Sequence, residues 1–231
     1  MTDSYIQQNI MDVKKRIEAA ARKAGRNPDD IILVGVTKTI DVQRIKTAIN
    51  AGITDIGENR VQELCEKYEH IDKNVKWHLI GHLQKNKVKY IIDKAALIHS
   101  LDSIELADEI EKRAQKIGRE INVLVQVNIA QEETKFGIKA EECISFIKTL
   151  SSYKYIRVRG LMTIAPFSEQ AESVRWVFRA LNNLRIDILR ENIDNINMDY
   201  LSMGMSNDFE VAIEEGANIV RIGTSIFGKR Q

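Results

Sequence analysis

From Ile31 onward the chain alternates short apolar runs with longer amphipathic stretches. The apolar runs are rich in β-branched residues and show no polar alternation, which is the pattern of strands buried on both faces. They predict strands over Ile31–Val36, Asp55–Gly57, Lys76–Ile80, Leu97–Ser100, Asn122–Val127, Arg157–Leu161, Tyr200–Met203 and Ile219–Ile222. Helical spacing predicts segments over Asp41–Ala51, Ser103–Ile117, Glu141–Leu150, Glu169–Glu191 and Asn207–Glu215. Ahead of the first strand, Ile6, Ile10, Val13 and Ile17 share one face of a further helix over Ser4–Ala24, with Gly25 as its cap.

Strict alternation of strand and helix implies parallel strands joined by helical crossovers. About eight such units, undivided by a Gly/Ser/Pro-rich linker, predict a single α/β domain over residues 1–231: a (β/α)8 TIM-type barrel with an extra N-terminal helix. The competing open doubly wound sheet would usually carry a Gly-rich dinucleotide turn after its first strand. Val36-Thr37-Lys38-Thr39 is not one.

Composition narrows the partners. With 34 Lys+Arg against 33 Asp+Glu, the net charge of +1 gives no basic excess to recommend nucleic acid. No apolar stretch reaches the ~20 residues that span a bilayer, and the polar N-terminus does not read as a signal peptide. Cys65 and Cys143 fall within helical patterns and form neither a disulfide framework nor a metal spacing, so a reducing cytoplasm is the expected setting.

In a barrel the chemistry sits on the loops that follow the strands. Those loops carry Lys38, Glu58-Asn59-Arg60, Gly81-His82, Asn128, Met162-Thr163, the stretch Ser202 to Asp208, and Arg221-Ile222-Gly223-Thr224-Ser225. The loops after strands seven and eight are the usual phosphate place of this fold, and here both combine Gly with hydroxyl residues, Ser206 reading as a helix N-cap. A phosphate site beside a strand-end lysine leaves two chemistries open. One is a Schiff-base aldolase acting on a sugar phosphate; the other is pyridoxal 5′-phosphate held by Lys38. Arg221 suits either the phosphate or a pyridine nitrogen.

Other candidates read as bland. His78 and His82 lie four apart on a strand end, which fails helical zinc geometry, so no metal is expected. Lys135 is a rival amine, but Glu132 and Glu133 would keep it charged and solvated. Glu58 with Arg60 reads as a surface ion pair, and His70 and His99 as structural histidines.

The stretches "VGVTKT", "GENRVQE", "WHLIGHLQKNK", "GLMTIAP" and "LSMGMSNDFEVAIEEGANIVRIGTSIFG" resemble the YggS/PROSC family of pyridoxal phosphate homeostasis proteins. The likeness runs from the first strand to Gly228. It implies a fold-type III barrel like the N-terminal domain of alanine racemase, with pyridoxal 5′-phosphate as cofactor. It also implies a monomer that keeps the cofactor available to pyridoxal-phosphate-requiring apoenzymes, without efficient catalysis. By the same resemblance Lys38 matches the Schiff-base lysine and Arg221 the arginine near the pyridine nitrogen. Ser202, Ser206, Gly223 and Thr224 fall in the phosphate stretches, without a decision between the two serines. Asn59, Ile80, His82 and Met162 match pocket-lining positions. The alternative is a racemase-type pyridoxal phosphate enzyme. In alanine racemases one of the two bases comes from a second, β-rich domain of a partner subunit, which a chain ending at Gln231 is expected to lack.

Overall fold

The computed structural model describes residues 2–72, 74–132 and 134–228. Eight strands form one closed, wholly parallel barrel in sequence order, β8 returning to pair with β1. They are β1 (Ile32–Val36), β2 (Asp55–Glu58), β3 (Lys76–Leu79), β4 (Ala95–Leu101), β5 (Ile121–Gln126), β6 (Ile156–Met162), β7 (Ile196–Ser202) and β8 (Ile219–Ile222). Around them lie α2 (Val42–Asn50), α3 (Val61–Tyr68), α4 (Val88–Ile91), α5 (Ile104–Ile117), α6 (Cys143–Leu150), α7 (Arg175–Arg190), α8 (Phe209–Glu214) and α9 (Thr224–Phe227). The barrel and the expected strands therefore agree. Strand β7 begins four residues earlier than its apolar run, because Ile196 pairs with Val158 of β6 in the ladder.

The N-terminal helix α1 (Thr2–Lys23) packs outside the barrel against α2, α8 and α9. Ile6, Ile10, Val13 and Ile17 are all buried, so the predicted stripe is the docking face. Polar contacts fix its register on α8: Arg16 pairs with Glu210 at 2.8 Å and Lys23 with Glu214 at 2.7 Å.

The hydrophobic interior has two parts. The larger one fills the space between the outer faces of the strands and the helices. A smaller one, made of Val34, Leu97, Leu124, Met162 and Ile219, plugs the barrel itself. Side chains alternate across each strand, so residues two positions further along the same strands also face the lumen: Val36 and Ile164 are apolar there, while His99, Gln126 and Arg221 are polar. Polar residues enter the plug's own level too: Asp55 lies in register with Val34, His78 with Leu97, and Ser202 with Met162 and Ile219. Among the described residues no helix is long and apolar enough to cross a membrane, and no group of three or more His, Cys, Asp or Glu could hold a metal ion.

Candidate functional site

The carboxyl ends of the strands open into a cavity of about 450 Å³. Of the ten residues picked out from the sequence, eight line it: Lys38, Asn59, Ile80 and His82 from the first three strand ends, and Ser206, Arg221, Gly223 and Thr224 from the last two. Met162 and Ser202 do not. Met162 is part of the apolar plug below the cavity, and Ser202 is fully buried beneath Arg221.

Lys38 follows β1 in a tight turn. Ile40 N–H donates to Thr37 C=O at 2.9 Å, and Thr39 adopts a left-handed conformation with φ 64°. A buried polar cluster outside the barrel holds both neighbours of Lys38. Thr37 Oγ1 donates to Glu58 Oε1 at 2.7 Å, and Thr39 N–H donates to Glu63 Oε2 at 2.8 Å. The Lys67 ammonium joins them, donating to Glu58 at 2.7 Å, to Glu63 at 3.0 Å and to Thr37 C=O at 2.8 Å. The expected surface ion pair of Glu58 with Arg60 is thus corrected. Glu58 points out of the barrel under α3, is fully buried, and is partnered by Lys67. Burial raises its pKa, against the hydrogen bonds from Lys67 and Thr37 that lower it.

Arg221 enters from β8, the neighbour of β1, where it pairs in register with Val34. Burial lowers its pKa to about 10, with the charge of Asp208 acting against that shift. The guanidinium therefore remains cationic at neutral pH. Nη1 donates to Ser202 Oγ at 2.6 Å and Nη2 to Thr163 C=O at 2.9 Å, which fixes its plane from below. Ser202 Oγ is also 2.9 Å from His99 Nδ1. His99 Nε2 lies 2.8 Å from His78 Nδ1, and His78 Nε2 lies 2.9 Å from Asp55 Oδ1. His99 is thus a buried, hydrogen-bonded histidine, as its structural reading expected, but its pair with His78 gave no signal in the sequence because the two belong to different strands.

The two phosphate-type loops are built as a unit. Gly204 has φ 91°, and Asp208 folds the loop after β7 back by accepting from Met205 N–H at 2.6 Å. Ser206 is not the N-cap of α8, which is Asp208; its hydroxyl instead accepts from Ser225 N–H at 3.3 Å and ties this loop to the one after β8. On the opposite rim His82 stacks on Phe136, with ring centroids 3.9 Å apart and planes at 10°. His82 also lies 3.6 Å from Asp102. Phe136 and the more exposed Phe167 line the mouth and carried no motif. Lys135 is paired with Glu132 and donates to Ala165 C=O at 3.3 Å, and it does not line the cavity; Glu133 lies outside the described residues.

The profile of the alanine racemase N-terminal domain family matches residues 9–231. The pyridoxal phosphate homeostasis protein of Aquifex aeolicus is 47% identical over 97% of this chain and 98% of its own. PipY of Synechococcus elongatus, whose structure was solved with PLP bound, superposes with a TM-score of 0.84 at 28% identity, over 96% of this chain and 100% of its own. An alanine racemase of Clostridium difficile shares the fold, with a TM-score of 0.77 at 18% identity, and this chain covers 57% of it. The chain belongs to the alanine racemase N-terminal domain family and, within it, to the group of pyridoxal phosphate homeostasis proteins.

Proposed function

We propose that the chain binds pyridoxal 5′-phosphate through Lys38 and serves to hold the cofactor and release it to enzymes that need it. The observation that carries this reading is the placement of Lys38 and the buried cation Arg221 on adjacent strands of one cavity, with the tied loops of Ser206 and Thr224 beside them. This donor set fits the group: an amine for its aldehyde, hydroxyls and loop backbone for its phosphate, a guanidinium for its ring nitrogen, and Val36 and Ile80 as apolar walls. When bound, the cofactor supplies an electrophilic aldehyde conjugated to an electron-withdrawing ring.

Arg221 decides how strongly that ring can be exploited. A guanidinium offers an N–H to the ring nitrogen but does not give up the proton, so the ring stays less electron-withdrawing than a protonated one. Ser206 and Thr224 would orient the phosphate, and Lys38 would retain the aldehyde end until another amine displaces it. The reading is therefore a reserve for a reactive cofactor, without efficient turnover. Relatives of matching length that carry the homeostasis name support it.

An absorption spectrum before and after borohydride, followed by peptide mapping, tests the binding. Fixation on the peptide containing Lys38 is expected; label on Lys135, or no visible band after incubation with the cofactor, would sink it. The loaded protein is then incubated with L-alanine and other L-amino acids. Loss of enantiomeric excess at enzyme-like rates, on the order of 1–10³ s⁻¹, and abolished by Lys38→Ala, would instead establish the racemase reading that the shared fold suggests.

A further inference from the structure

Five side chains from five strands form one hydrogen-bonded line across the barrel lumen: Asp55, His78, His99, Ser202 and Arg221. All five are buried, none more than 6% exposed. Such a line has a direction, and its two ends set it. Arg221 has only donors, so Ser202 Oγ must accept from it. The hydroxyl proton is then turned toward His99 Nδ1, which must be the bare nitrogen. His99 therefore carries its proton on Nε2 and donates to His78 Nδ1, and His78 Nε2–H donates to Asp55 Oδ1. Every donor meets an acceptor, with both imidazoles neutral.

The opposite direction fails. With protons on His78 Nδ1 and His99 Nδ1, Ser202 would accept twice and its own proton would have no acceptor along the line. That costs the desolvation of a buried donor. Charges around the line favour the first arrangement as well. Burial first, and then the charge of Arg221, hold His99 neutral. At the far end His78 and Thr54 stabilise Asp55 as the carboxylate, against its burial.

We propose that His99 and Ser202 are positioning residues for Arg221, and that Asp55 and His78 lock them in a single proton arrangement. The line is not a path for protons into the cavity, because it ends on a guanidinium that cannot accept one. Its role is to keep the Ser202 lone pair turned to Arg221 Nη1, so that the guanidinium stays in one plane while its remaining N–H groups face the cavity. This rests on the reading that Arg221 serves pyridoxal phosphate, but the proton arrangement belongs to the free protein and is tested there.

The first arm is nitrogen NMR of cofactor-free protein labelled in its four histidines, of which His70 and His82 lie outside the line. His78 and His99 are expected as Nε2–H tautomers, His99 staying neutral as the pH is lowered through the ordinary histidine value. In Ser202→Ala, which removes the hydroxyl, His99 is expected to show a second tautomer. A protonated or mixed His99 in the unmodified chain overturns the proposal. The second arm measures affinity for pyridoxal phosphate. His99→Phe, which strips the acceptor, is expected to weaken binding about tenfold or more, and His99→Asn, which returns an acceptor near the Nδ1 position, to restore most of it. Equal affinity in His99→Phe and the unmodified chain overturns the positioning role. An unmodified chain that binds no pyridoxal phosphate would overturn the functional reading and, with it, the positioning role, while the first arm still decides the direction of the line.

Discussion

Lys67 holds its ammonium 2.8 Å from the carbonyl oxygen of Thr37, the residue immediately before Lys38. The same ammonium neutralises Glu58, which no solvent reaches. Removing one partner of a buried pair leaves the other charge uncompensated, at about 3–5 kcal/mol. Lys67→Met is therefore expected to cost about that much in denaturant unfolding and to loosen the turn that carries Lys38. Adding Glu58→Gln should recover part of the loss, since the stranded charge is gone. A single-variant loss under about 1 kcal/mol would show that the cluster does not hold the turn.

The histidine line predicts acid sensitivity. His99 is neutral in the folded protein, with its pKa well below the ordinary value because of burial and the nearby charge of Arg221. Below about pH 6.5 the unfolded chain takes up a proton at this residue and the folded chain does not, so stability falls with falling pH, by up to ~1.4 kcal/mol per unit. Asp55 adds to the same trend lower down: its folded-state pKa lies below the ordinary carboxylate value, and its contribution is lost as pH drops through that folded value. Urea midpoints from about pH 8 to 5 should decline more steeply for the natural chain than for His99→Gln. Parallel curves would remove His99 as the cause.

Two glycines with left-handed backbone separate strain from crowding. At Gly25, φ 68°, a Cβ meets nothing within 4 Å, so Gly25→Ala should cost only about 1 kcal/mol. At Gly204, φ 91°, a Cβ would lie 2.6 Å from Ala212 Cβ and 2.8 Å from Phe209 Cα. Gly204→Ala should therefore cost more than about 2 kcal/mol and displace the loop that carries Ser206. Similar melting shifts for the two variants would contradict this.

Thr224 is exposed on the cavity rim, at the start of α9. Thr224→Leu is expected to leave stability within about 0.5 kcal/mol, because a rim residue supports no core. Its affinity for pyridoxal phosphate should fall about ten- to hundredfold, the loss of one charge-assisted hydrogen bond. Unchanged affinity in a fluorescence titration would place the phosphate elsewhere.

The sequence by itself determined the strands, their order and the two cations, Lys38 and Arg221, at the ends of the first and last of them. Those are local properties. A β-branched run such as Ile32–Val36, an apolar stripe such as Ile6 to Ile17, and a polar residue at a strand end are all written in consecutive positions. Only the tertiary structure decided which polar residues meet. Parallel strands buried on both faces show no polar alternation, so nothing in the chain said that Glu58 faces α3 while His78 and His99 face the lumen. Nor did it say that Met162 and Ser202 lie below the cavity and not on its wall. His99 and Ser202 are 103 residues apart, and their contact exists because eight strands close into a ring and turn β4 and β7 toward one lumen. Closure, which is a property of the whole sheet, selected the partners.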